Sequence, residues 1–205
     1  MLNDFLLPQP GSPAIIAATG LRFHLAEDRI REFLMGENLY GEPSLALREL
    51  YQNALDACRL ARARREFLGQ PPVPSAADRP SIEVEQGVDA SGRGFIDCVD
   101  RGAGMGLDEL TNAFCQAGVR ASDLSARIAE AHDFASADPP VVLWQNSRFG
   151  IGVMSYFMIA EAVTVTTARL NRDGSLGDLL RMHITGPADT FDVEAFGPAL
   201  LAPGT

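Results

Sequence analysis

"LRELYQNALDACR", Leu47 to Arg59, is the stretch on which the reading of the chain turns. Successive residues of a helix rotate by about 100°, so Glu49, Asn53 and Asp56 fall within roughly 60° of one another, while Leu47, Leu50, Ala54, Ala57 and Ala61 form a separate apolar stripe. One side of such a helix packs, and the other carries two acids and an amide. Taken alone, that face is an ordinary solvated surface. It becomes a site only if other segments are brought to it.

Two other segments have the right chemistry. "DRGAGMG", Asp100 to Gly106, follows the strand-like "GFIDCVD". Its glycines let backbone approach a ligand closely, and its aspartate can accept a hydrogen bond from an amino group. The plain alternative is a glycine turn with a capping aspartate. "SRFGIGVMSYF", Ser147 to Phe157, sets Gly150 and Gly152 just before an apolar helix, where free backbone N–H groups would attract an anion. Here the alternative is close helix packing at glycine. Neither segment is a P-loop, because no G-x-x-x-x-G-K-[ST] string exists. Neither is a dinucleotide fingerprint, because Leu107 stands where its third glycine would be.

The whole chain sets limits on what these segments do. With 205 residues, 46% of them hydrophobic, there is material for one compact domain. A formal charge of −10 argues against general attraction to nucleic acid or an anionic membrane, so an anionic ligand needs local help. Cys58, Cys98 and Cys115 are scattered and odd in number, which suggests neither a disulfide framework nor a zinc site and fits a reducing cytoplasmic setting. The apolar run "GVMSYFMIAEAV" is broken by Glu161 and too short to span a bilayer. His24, His132 and His183 form no constellation.

Around the motifs, residues 1–20 hold several prolines and glycines and are expected to be a loose arm leading into a strand at Leu21–Leu25. A helix is expected over "AEDRIREFLM", and the opening helix should run on to Gly69, which suits its end. "QPPVPSAADRP" reads as a loop, and "SIEVE" with "GFIDCVD" reads as a hairpin. A helix is predicted from about Leu107 to Ala117, with Asp108 and Glu109 in its first turn. Residues 119–148 lack sustained periodicity, which points to a lid. Strands follow at "AVTVTTARL" and "LLRMHIT", where Leu180, Met182 and Ile184 alternate with Arg181, His183 and Thr185. This order implies an α+β fold, a mixed or antiparallel sheet with helices on one face.

The three motifs, in this order and spacing, together resemble the GHKL ATPase superfamily, and within it the N-terminal ATP-binding domain of Hsp90. "LRELYQNALDACR" is similar to its N box, "DRGAGMG" to its first glycine box, and "FGIGVMSYFMIAEAVTVTTAR" to its second with the following helix and strand. The resemblance runs from about Leu21 to about Arg169. It implies a Bergerat-type two-layer α/β sandwich over 21–205 with a lid at about 106–148.

It also implies roles. Glu49 would be the general base for the attacking water, and Asn53 would complete the coordination of Mg2+ held mostly by phosphates. Asp56 would support the site through water, or else be structural. Asp100 would bond the adenine amine, with Gly102 and Gly104 allowing close approach and Met105 either packing on the base or sitting in the core. Phe149, Gly150, Ile151, Gly152 and Val153 belong to the phosphate-binding box. Arg120 stands near where related lids carry a phosphate-binding lysine, or is an exposed lid arginine. In such domains a Gly-Thr pair opens a last strand whose threonine faces the adenine, so Thr205 is assigned there. A chain ending at that point is expected to be a fragment of a longer protein, with weak or no hydrolysis by itself.

The expected ligands are ATP or ADP with Mg2+; the expected partners are a homodimer mate in the full-length protein and a client protein, with no nucleic acid and no membrane. The expected activity is ATP binding and hydrolysis driving lid closure and dimerisation. A regulatory or defence-type GHKL switch without chaperone activity is the alternative, and downstream sequence would separate the two. The pattern of Glu49 with Asp56, and the lack of a phosphoacceptor histidine helix, set a histidine-kinase domain further off.

Overall fold

The computed structural model describes residues 13–25, 43–70, 81–117, 119–144 and 152–199. The helix expected over "AEDRIREFLM", the loop at 71–80, and site residues Phe149, Gly150, Ile151 and Thr205 lie outside the described residues.

The fold is α+β with antiparallel sheets and helices packed on them, consistent with a two-layer sandwich. Among the described residues the larger sheet has four strands in the order β1 (Ile15–Leu21), β8 (Phe191–Pro198), β7 (Leu176–Ile184), β6 (Val163–Leu170), all antiparallel. The alternation expected in β7 is borne out. Leu180, Met182 and Ile184 are buried, Arg181 and His183 are not, and each such buried side chain contributes roughly 1.5–3 kcal/mol. Phe191 and Val193 meet them from β8, a strand the sequence reading does not name.

The hairpin is present as β3 (Ile82–Val88) and β4 (Gly94–Asp100), in unbroken antiparallel register from Ile82 opposite Asp100 to Val88 opposite Gly94. The strand expected at Leu21–Leu25 is in fact two: β1 begins at Ile15, and β2 (His24–Leu25) pairs in parallel with β5 (Gln116–Ala117).

The opening stretch is part of the 24-residue helix α1 (Ser44–Phe67). Gly69 closes it at φ +62°, with its N–H donating to the Glu66 carbonyl, as a left-handed residue past a helix end does. Ala54 and Ala61 are buried as expected, but Leu47 is 45% exposed. Toward the C-terminal half the buried side is instead Leu60, Ala61, Ala63 and Arg64.

Two expectations around the lid need correction. The helix from Leu107 is a short α turn, α2 (Leu107–Glu109), continued by a π-helical turn over Leu110–Phe114, and it stops there because Gln116 and Ala117 pair with β2. The segment after it is not irregular. A 3-10 turn (Ala121–Asp123) leads into helix α3 (Ser125–Ser136). Its buried side contains Glu130 beside Phe134, so a charged residue sits where an apolar stripe would have revealed the helix. Last in chain order among the helices of the described residues is α4 (Gly152–Ser155), a single turn extended by a 3-10 turn over Tyr156–Met158.

Candidate functional site

The three motifs meet on one side of α1. At its N-terminal half Glu49 lies against Gly152, where a Cβ would come within 2.8 Å of Glu49 Oε2. One turn on, Asn53 Nδ2 donates to the Tyr156 hydroxyl at 2.7 Å. Further along, the Ala57 carbonyl accepts from Ala103 N–H at 2.9 Å, and a Cβ on Gly102 would collide with Ala57 at 2.5 Å. Glycine is needed there for backbone-to-helix approach, and that contact carries Asp100 to the helix face.

The glycine loop is fixed from its other side by β6. Leu170 N–H donates to Ala103 O at 2.8 Å, and Met105 N–H donates to the buried Thr167 Oγ1 at 2.9 Å. Gly104 has φ +56°, and a Cβ on it would lie 2.0 Å from Ala168 O, so no side chain fits. Glu109 is buried and closes the loop, accepting Gly106 N–H at 3.0 Å and pairing with Arg169 at 2.9 Å.

Electrostatics bind the same residues together. Burial raises the Asp100 carboxyl above the ordinary carboxylate range, opposed by the Gly102 N–H that Oδ1 accepts at 2.9 Å. Tyr156 is pushed up to about 12, first by burial and then by the charges of Glu49, Cys98 and Asp100, with the Asn53 bond acting the other way. Burial and Asp100 also raise the Cys98 thiol, which shares the strand face of Asp100.

Asp56 sits next to Arg59, with Nη1 and Oδ1 3.2 Å apart. Met105 is partly buried against the main core. Arg120 is not gathered to these residues; it pairs with Asp123 at 3.1 Å. Val153 is buried and, with Gly152, starts α4. Sequence reasoning missed Tyr156, Thr167 and the Glu109–Arg169 pair. Only Tyr156 left a trace, as a hydroxyl in an otherwise apolar run. A surface cavity of about 390 Å³ beside Arg59, Arg62 and Trp144 shares none of the site side chains.

Such an arrangement offers a partly exposed carboxylate (Glu49), an amide oxygen left open by the Nδ2 bond (Asn53), and a desolvated acceptor (Asp100) beside a glycine-rich loop. That set fits a hard cation shared with phosphate oxygens, because such an ion takes oxygen ligands and keeps waters. Among the described residues no group of three His, Cys, Asp or Glu is placed to hold a metal unaided.

The chain is 35% identical over 136 residues to the chaperone protein HtpG of Nitrobacter winogradskyi, covering 66% of this chain and 20% of that protein. It is 32% identical over 180 residues to HtpG of Rhodococcus jostii, covering 85% of this chain and 25% of that one. The relationship is Hsp90-like. A third HtpG, from Nitrobacter hamburgensis, is 29% identical over 178 residues, 82% of this chain and 26% of the relative. The HtpG-like chain thus spans about a fifth to a quarter of the length of these relatives. No family model matches it. Among the described residues no helix is long and apolar enough to cross a membrane.

Proposed function

We propose that this chain is an ATP-binding, ATP-hydrolysing module of an Hsp90-like protein of the GHKL superfamily, in which nucleotide closes a lid over about 106–148 and drives dimerisation and work on a client protein. The observation that carries the reading is the convergence of Glu49, Asn53, Asp100 and Gly152 on one side of α1. HtpG relatives bearing the name of chaperone supply the extension to clients.

In this reading the Asp100 carboxylate accepts the adenine amine, and Gly102 and Gly104 keep the loop low enough for the base to lie on Met105. Bound Mg2+ would neutralise phosphate charge, with the Asn53 amide oxygen as its protein ligand. Gly152 and Val153, with Gly150 and Ile151 before them, offer backbone N–H groups to the phosphates, and Glu49 accepts a proton from the attacking water. Arg120 would join the phosphates only when the lid closes, and Thr205 would sit beside the base.

Calorimetric titration with ATP, ADP and GTP, with and without Mg2+, tests the reading. Adenine nucleotides should bind and GTP should not, because a buried acceptor that loses its partner discriminates by roughly 10⁴-fold or more. Asp100→Asn should abolish the preference. Equal affinity for ATP and GTP in the unaltered chain would overturn the assignment of Asp100.

A further inference from the structure

Helix α3 docks on the C-terminal half of α1 through charge. Arg64, 2% exposed, reaches Glu130, also 2% exposed, by two bonds: Nε to Oε1 at 2.7 Å and Nη2 to Oε2 at 3.0 Å. Its third nitrogen donates to the Leu170 carbonyl. Arg127 adds a bond to Glu130 Oε2 at 3.0 Å, and Arg172, from the turn after β6, stands 3.9 Å from Oε1 while pairing with Asp133 at the rim. Guanidinium groups from three elements thus converge on one carboxylate. Burial pulls the Glu130 carboxyl up, but Arg64 and Arg127 outweigh it and hold it below its ordinary value, so the cluster is charged at neutral pH. Phe134, Val141, Leu60 and Ala63 pack beside it.

The location matters. Arg64 is three turns of α1 beyond Asn53, roughly 16 Å along the axis. The docked helix therefore lies at the end of α1 opposite Glu49 and Gly152. A buried ion cluster also has an unusual balance, since the attraction gained on docking is nearly matched by the hydration that both partners recover on separating. Such a contact selects one docked position without making departure prohibitive. Arg127 Nε is buried with no acceptor among the described residues, and undocking would hydrate it.

We propose that Glu130, held by Arg64, Arg127 and Arg172, is a latch that parks the lid helix away from the phosphate end of α1, so that lid closure over a triphosphate must first break this cluster. The inference rests on the ATP-site reading and concerns the regulation of that same site.

Hydrogen exchange on the 205-residue chain without nucleotide reads the latch directly. Glu130→Gln should speed exchange in 125–136 by about tenfold or more while β6, β7 and β8 keep theirs. Asp133→Asn changes only the half-exposed rim and should fold normally, with about threefold faster exchange in the same helix. In Asp133→Asn a non-hydrolysable ATP analogue should bind about threefold tighter, and ADP with unchanged affinity, because only the closed state gains from release. Unchanged exchange in α3, an increase spread over the whole sheet, or an unaltered ratio of analogue to ADP affinity with α3 loosened would each overturn the latch. Failure of the unaltered chain to bind either nucleotide would instead overturn the ATP-site reading, and the exchange arms would still decide whether the cluster holds α3.

Discussion

Asn53 donates from Nδ2 to the Tyr156 hydroxyl at 2.7 Å, and this bond ties α1 to the turn that follows Gly152. Because the amide nitrogen is engaged, the amide oxygen has a fixed direction. The tyrosine lies inside the third motif, yet its part is read only from this contact: it fixes the side chain of Asn53.

Tyr156→Phe keeps the ring and removes the acceptor. The expected loss of stability is about 0.5–1.5 kcal/mol, read from urea unfolding. If Asn53 oxygen serves the metal, the Mg2+-dependent part of ATP affinity should fall with it, while affinity measured without Mg2+ should not. A stability loss with unchanged Mg2+ dependence would give Tyr156 a purely structural role.

Glu49 and Gly152 make a second, separable test. A Cβ at residue 152 would meet Glu49 Oε2 at 2.8 Å and Glu49 Cβ at 3.3 Å. The carboxylate is the movable end of a side chain, so Gly152→Ala should change stability by no more than about 1 kcal/mol, the more so as alanine favours a helix. It should nonetheless swing Glu49 out of place. Glu49→Ala should lower single-turnover hydrolysis by about 10²–10⁴-fold and spare nucleotide affinity, and Gly152→Ala should reproduce that turnover defect. Equal losses of affinity and turnover in Glu49→Ala would remove it as the general base.

What could be read in the sequence follows from which forces leave a periodic trace. Leu180, Met182 and Ile184 face one core and alternate, so β7 is legible; Ala54 and Ala61 mark the packed side of α1 in the same way. Helix α3 leaves no such trace because Arg127 and Glu130 occupy its inward side, and Glu130's partners on α1 and in the turn after β6 make that position tolerable. Glu49, Asn53, Asp100 and Gly152, which the fold brings together, could be singled out in the sequence because their chemistry is local to short motifs. Tyr156 and Thr167 acquire their roles from contacts across 103 and 62 residues, which no window of sequence contains.

Gly104 separates conformational cost from close approach. Its φ of +56° and the Ala168 oxygen 2.0 Å from a built Cβ both oppose a side chain, and the two nearest atoms, the Ala168 carbonyl oxygen and carbon, are backbone that cannot yield. Gly69 has a similar φ of +62° but open space around it. Gly69→Ala should therefore cost about 1 kcal/mol, whereas Gly104→Ala should cost on the order of 3 kcal/mol and displace Met105. Thermal unfolding of both variants gives the comparison, and equal losses would show that the loop can move off β6.

Asp100 should set function against stability in a pH-dependent way. Its carboxyl is raised above the ordinary range by burial, so in a window starting at the ordinary carboxylate pKa the folded state holds more protons than the unfolded one. Stability from this group is then fully present below that window and is lost as pH rises through the raised folded value. Asparagine keeps an oxygen for the Gly102 N–H but carries no charge to desolvate. Asp100→Asn should accordingly unfold at a higher temperature than the unaltered chain at pH 7, with the difference vanishing as the pH falls to where Asp100 is protonated in both states. The same substitution should lose the preference for adenine. A variant equally stable at every pH would mean that the carboxylate is not desolvated in the folded chain, and that the base would meet a hydrated acid rather than a buried acceptor.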